Sequence, residues 1–231
     1  MIISHKHKFI FFRTRKTAGT SLEIALSEFC GKEDIIPPVS KKEEEIRREL
    51  GFLGPQNYRL PYSSYNSRDW ARLIGAGFHK KFYDHIPAVT AKRYLSKEIW
   101  DTYYKFTFER NPWDKAISYY FWRSKQKDMT GFDEFITNGT ANISDFEIYS
   151  INGIPVVDDV FSYEDLDESL KELTEKLGLK KPIHMPEKKV KGNIRKNRRP
   201  YQELISETPR KLIEVAAARE IKLLGYQFEV K

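Results

Sequence analysis

Twice along this chain a short, aromatic-rich apolar run leads into a basic loop and then into a stretch with helical spacing, and this repetition constrains the fold more than any other feature. The first instance runs from Lys8–Phe12 (KFIFF) through Arg13–Ser21 (RTRKTAGTS) into Thr20–Cys30, where Leu22, Ile24, Ala25, Leu26 and Phe29 are spaced as on a helix. The second runs from the alternating segment Tyr104–Glu109 (YKFTFE) through Arg110-Asn111 into a helix predicted over Pro112–Arg123. Strands alternating with helices imply an α/β fold. The expected architecture is a single domain over residues 1–231, with a central, mainly parallel sheet flanked by helices.

The other segments fit that frame. Lys41–Leu50 reads as a charged helix, and Ile74–Phe78 (IGAGF) as a second short strand. Helices are predicted over Pro87–Leu95, Lys97–Thr102 and Phe132–Ile136, and a hairpin over Phe146–Val157 around Asn152-Gly153. Val160–Tyr163 reads as a strand, and Glu164–Leu177 and Pro209–Leu224 as amphipathic helices. Thr20 or Ser21 is expected to cap the first helix at its start, with Gly31 beyond its end. No internal repeat and no linker divides the chain.

Charge is informative through its location. The net charge is +7, and Lys188–Arg199 (KKVKGNIRKNRR) holds seven basic residues and no acidic one. Without that segment the chain has 33 basic against 33 acidic residues. A local basic loop points to an anionic partner such as nucleotide phosphates, an acidic glycan or nucleic acid, or else to a solvated surface loop. No run of about 18 apolar residues is present, so no membrane span is expected. The apolar run Phe9–Phe12 is too short for a signal peptide. The single cysteine, Cys30, excludes an intramolecular disulfide and fits a reducing compartment, so a soluble cytoplasmic protein is expected. Asn138-Gly139-Thr140 and Asn142-Ile143-Ser144 match the glycosylation pattern and are read as loop residues.

Both strand-to-helix junctions carry the residue types that hold anions. A helix's first turn leaves N–H groups without intrahelical acceptors, and the macrodipole adds partial positive charge there. Ala18 and Gly19 would let an anion approach the backbone, Thr20 and Ser21 would add hydroxyl donors, and Lys16 a mobile cation. The segment is not a GxxxxGK[ST] loop, because its lysine precedes its glycine. At the second junction Arg110 and Ser118, about two helical turns apart, could clasp another phosphate from one side. The alternatives are an ordinary turn with exposed basic residues and, for Arg110, a structural ion pair.

At these two segments, RTRKTAGTS and FTFERNPWDKAISYY, the sequence resembles the superfamily of sulfotransferases that use 3′-phosphoadenosine 5′-phosphosulfate (PAPS). The likeness is closest to the branch of carbohydrate sulfotransferases and their bacterial relatives. It implies a P-loop-like nucleotide-binding core in which Lys16 contacts the transferred sulfuryl group and the bridging oxygen. Arg13, Arg15, Thr17, Ala18, Gly19, Thr20 and Ser21 would form the 5′-phosphate side, and Arg110 and Ser118 the 3′-phosphate ligands. Lys191, Gly192 and Arg195 of the basic loop would close over the 3′-phosphate. Lys115 stands where the family often has Arg. PAPS would be co-substrate and the bisphosphate PAP the product.

Sulfuryl transfer also needs a base for the attacking hydroxyl. His85, in a His-Ile-Pro-Ala pattern found in bacterial members, is favoured over His79 for that role. No His/Cys/Asp cluster has ligand spacing, so no metal is expected. The acceptor is a hydroxyl-bearing molecule, with an acidic glycan favoured by the basic surface. Two other readings stand beside this one. The first is a non-catalytic polyanion- or nucleic-acid-binding protein, suggested by the basic run and the Tyr/Trp content. The second is a P-loop kinase-like enzyme, which the loop pattern disfavours.

Overall fold

The computed structural model describes residues 1–124, 131–139, 143–186 and 199–228. Its centre is strand β2 (Phe9–Phe12), all four residues of which are buried. On one side β2 pairs antiparallel with β1 (Ile2–Ser4), and on the other it runs parallel to β3 (Tyr104–Glu109). Strand β3 in turn pairs parallel with β6 (Asp159–Ser162), giving the order β1-β2-β3-β6. A separate two-stranded hairpin joins β4 (Ser150–Ile151) to β5 (Ile154–Pro155). The expected α/β architecture with a mainly parallel sheet is what the chain forms.

Helix α1 (Gly19–Ser27) follows β2 directly, and α6 (Pro112–Ser124) follows β3. Between them lie α2 (Lys41–Glu49), α3 (Ser67–Ala76), α4 (Ala88–Tyr94) and α5 (Lys97–Thr102). After α6 come α7 (Phe132–Thr137) and the short α8 (Phe146–Tyr149), and after β6 come α9 (Leu166–Lys176), α10 (Glu207–Ala216) and α11 (Ala218–Leu224). Alternate residues of a strand face opposite sides of its sheet. Accordingly Phe9 and Phe11 pack with Leu22, Leu26, Leu170 and Leu173, contributed by α1 and α9. Ile10 and Phe12 face the other way, towards Ala88, Ala91, Trp100 and Phe146. Such burial of both faces explains why β2 reads as an uninterrupted apolar run.

Three local expectations change, and one strand goes unread in the sequence. Ile74–Phe78 is the end of α3 and its exit, not a strand. Asn66 and Asp69 form a capping box at the start of α3, and Gly77 closes it in the left-handed conformation. Strand β1, unread in the sequence, is a buried edge strand whose polar end, Ser4, bonds to Asp34. Helix α1 is capped by neither Thr20 nor Ser21, since its N-cap is Ala18, and it ends at Ser27, well before Gly31. Finally, the long C-terminal helix is interrupted at Ala217. Beyond the break, Glu220 accepts from the backbone N–H groups of Asp145 and Phe146 and from the Ser144 hydroxyl.

Candidate functional site

Because β2 and β3 are parallel neighbours, both loops leaving their C-terminal ends emerge at the same edge of the sheet, where open α/β sheets bind ligands. The register pairs Phe12 with Thr107, and the Thr107 hydroxyl donates to the Phe12 carbonyl at 2.7 Å. The two segments singled out in the sequence therefore meet. Arg110 Nη1 donates to the Lys16 carbonyl at 2.9 Å, across 94 positions of chain. Lys16 lays its ammonium over the Trp122 ring of α6, 5.5 Å from the centroid.

The loop itself has an unusual backbone. Lys16 and Ala18 both have positive φ, 63° and 55°. Each such non-glycine residue costs of order 1–3 kcal/mol and persists only where its surroundings fix it. Here the surroundings are identifiable. The Thr14 hydroxyl donates to the Phe108 carbonyl and lies 3.0 Å from that of Thr17. Both threonines are buried, so the Thr17 side chain fastens the loop from inside. Ser21 is half-buried in the first turn of α1, which keeps its hydroxyl a candidate donor.

Arg13 and Arg15 serve the loop differently from the expected anion contacts. Arg13 is buried and donates to Glu23 and to the Thr20 hydroxyl, each at 2.6 Å. Glu23 is buried as well; burial alone would raise its pKa, but the Met1 ammonium and Arg13 hold its carboxyl below the usual range. The stem of Arg13 fills the space beside Gly19, where an added Cβ would meet Arg13 Cγ at 2.6 Å. That glycine thus makes room for an arginine. Arg15 donates its backbone N–H to Asp145 at 2.6 Å, and its guanidinium pairs with the same carboxylate.

Asp145 and its neighbours are the part that sequence reading missed. Its buried carboxylate also takes the Lys115 ammonium at 2.8 Å, and Lys115 reaches Glu109 at 2.6 Å. Burial would lower the Lys115 pKa, yet the two carboxylates raise it, and the ammonium stays charged. Glu109 is pushed up to about 7, chiefly by burial. Lys115 was visible in sequence only as a departure from Arg. Nothing in spacing links Asp145 to a loop 130 positions away.

At the second junction Asn111 caps α6 by accepting from the N–H groups of Trp113 and Asp114. Arg110 gives Nε and Nη2 to Asp114, at 2.9 and 2.5 Å, and lies over the Tyr163 ring at 4.4 Å. Ser118 is half-buried two turns along α6. Lys191, Gly192 and Arg195 lie outside the described residues.

The structure brings His85 to the first loop and leaves His79 elsewhere. His85 has φ 55° and places Nδ1 at 2.9 Å from the Arg13 carbonyl. A carbonyl only accepts, so Nδ1 carries the proton and the Nε2 lone pair is the basic position. Burial first, and then the neighbouring Arg13 charge, lower the His85 pKa to about 4. Asp84 stands 3.9 Å from Nε2, too far for a hydrogen bond. His79 sits against Tyr62 in a cleft with Arg72, Lys80 and Tyr83. No group of three or more His, Cys, Asp or Glu side chains that could hold a metal ion occurs among the described residues.

The fold and this paired-loop edge define an α/β protein with a strained strand-to-helix turn braced by buried ion pairs. Comparison with known families takes the assignment further: the model of the sulfotransferase family matches residues 1–227, and the chain belongs to that family. An uncharacterized protein of Archaeoglobus fulgidus is 32% identical over 100 residues, covering 41% of this chain and 83% of the relative.

Two outcomes follow from the geometry. Gly19→Ala should displace the Arg13 stem and lower stability by about 1–3 kcal/mol in chemical denaturation; an unchanged midpoint would show that Arg13 yields freely. His85 should titrate near pH 4 by NMR, against about 6.5 in the unfolded chain. The unfolded state then takes up the proton first, so the stability this ring contributes falls as pH drops from about 6.5 to about 4. A midpoint near 6.5 in the folded protein would contradict the half-buried, Arg13-facing ring.

Proposed function

We propose that this chain transfers the sulfuryl group of PAPS to a hydroxyl of an acceptor, with a carbohydrate hydroxyl as the favoured class. The observation that carries the reading is the convergence of Lys16, Arg110 and His85 on one short loop through the Lys16 and Arg13 carbonyls. The residues present fit such a donor. A helix start with a left-handed N-cap and a lysine beside it suits a phosphosulfate, and an arginine after the adjacent strand suits a second phosphate. When bound, the donor supplies an activated sulfuryl group on a phosphate leaving group.

In this reading Lys16 neutralises charge that builds on the bridging oxygen, together with the first-turn N–H groups of α1. The neutral His85 ring takes the acceptor's hydroxyl proton at Nε2, while the Arg13 carbonyl holds Nδ1–H and fixes the tautomer. Arg110 and Ser118 hold the 3′-phosphate, and Asp114 keeps the Arg110 fork in place until then.

The test combines binding and turnover. PAP at about 100 times its dissociation constant should raise the melting temperature by about 5–10 °C, with ADP and ATP much less effective. Arg110→Ala should remove most of that shift. Lys16→Ala and His85→Ala should retain it while lowering transfer, His85→Ala by about 10²–10⁴. A shift with ATP alone, or with none of the three, would overturn the PAPS assignment. Unchanged transfer in either variant would remove that residue from the mechanism.

A further inference from the structure

Helix α3 is well formed, with its capping box and Gly77 exit, yet none of its residues is buried. The helix is amphipathic, so propensity and capping alone do not explain why its apolar stripe is retained in water. Trp70 and Ile74 lie one turn apart along that stripe, and Phe78 follows beyond Gly77. Ile74 is 83% exposed, Phe78 69%, Tyr62 54% and Trp70 41%. Trp70 stacks on Tyr62 with ring centroids 5.5 Å apart, which joins the helix to a neighbouring aromatic surface. Among the described residues, five of the eleven large exposed apolar side chains fall between Tyr62 and Tyr83. The patch is therefore local rather than the ordinary scatter of surface hydrophobes.

The same segment is basic. Residues 59–83 contain Arg59, Arg68, Arg72, Lys80 and Lys81 against one acidic residue, Asp69. Asp69 is itself paired with Lys80 at 3.0 Å. Arg68 and Arg72 lie on the helix face opposite Trp70 and Ile74 by helical phase. Aromatic and aliphatic side chains on one face, with arginines on the other, is the pattern of a helix lying in the plane of a bilayer interface. Tyrosine and tryptophan are the residues that favour that depth. The charge also argues against a second copy of the chain as occupant, since apposing this face with itself would set two basic patches together.

We propose that α3 and the adjoining Tyr62, Trp70, Ile74 and Phe78 form a docking surface for a lipid bilayer carrying anionic headgroups. The apolar side chains enter the interface and the basic residues meet lipid phosphates. The inference concerns where the protein sits and is independent of the transfer reaction.

Vesicle sedimentation tests it without any activity assay. Wild-type protein should sediment with phosphatidylcholine vesicles containing phosphatidylglycerol, much less with phosphatidylcholine alone, and less at high salt. Ile74→Asp combined with Phe78→Asp should lower partition more than about tenfold. Arg68→Gln and Arg72→Gln should each lower it about fivefold. All four positions are exposed, and unchanged circular dichroism melts would establish that the variants fold. Val215→Asp alters an equally exposed apolar residue on α10 and should change nothing. Absence of sedimentation, or sedimentation indifferent to Ile74→Asp and Phe78→Asp, would overturn the proposal. So would a concentration-dependent dimer, seen by sedimentation velocity without vesicles, that Ile74→Asp dissolves.

Discussion

A buried ammonium holds the working edge of this protein together. Lys115 lies between Glu109 at the end of β3 and Asp145 at the start of α8, and Asp145 in turn grips the backbone and side chain of Arg15. One cation thereby joins the sheet, α6, the α8 segment and the loop after β2. Taking such charges out of water costs several kcal/mol per ion, and the cost is met only while each partner stays in place. Deleting one would leave an unpaired charge in the interior, at about 3–5 kcal/mol. A bare hydrophobic contact could supply comparable stability, but it would not specify where the Arg15 amide must sit.

That specification matters because the loop is strained. Lys16 and Ala18 both occupy the left-handed region, and His85, which touches the same loop through the Arg13 carbonyl, does too. Three such residues around one short segment would relax if the segment were held only at its ends. Instead it is pinned from beneath by Thr14 on Phe108, from the helix side by Arg13 on Glu23, and from the far side by Asp145. The backbone around the start of α1 is thus fixed by the protein's own contacts, the condition that electrostatic stabilisation without reorganisation requires.

Much of this was legible in the sequence wherever a local rule governs. The apolar periods of β2, β3, α1 and α9 report burial on one face or two, and the Asn111-Pro112 helix start follows from φ restriction and capping. The two junction segments were readable as a pair because parallel strands bring their C-terminal ends together. Other features depended on contacts that spacing does not encode. IGAGF looks like a strand until Asn66 and Asp69 are seen to start a helix that runs into it. Arg13 and Arg15 look like phosphate ligands until Glu23 and Asp145, 10 and 130 positions away, are seen to claim them. The flanking residues single out His85, whereas its tautomer depends on the Arg13 carbonyl.

The pairing of those arginines also bears on what kind of anion the edge can hold. A surface that binds polyanions without selectivity works by presenting cations to solvent, each replacing a counterion of the ligand. Here Arg13, Arg15 and Arg110 each carry a carboxylate partner, Glu23, Asp145 and Asp114 respectively, so their charge is balanced locally. The start of α1 adds the partial positive charge of its first-turn N–H groups. Such a field is short-ranged and directional, and it favours a compact anionic group seated at one point over a chain of phosphates laid across the surface. Among the described residues, the arginines at the sheet edge stand in local ion pairs rather than as a bare basic surface.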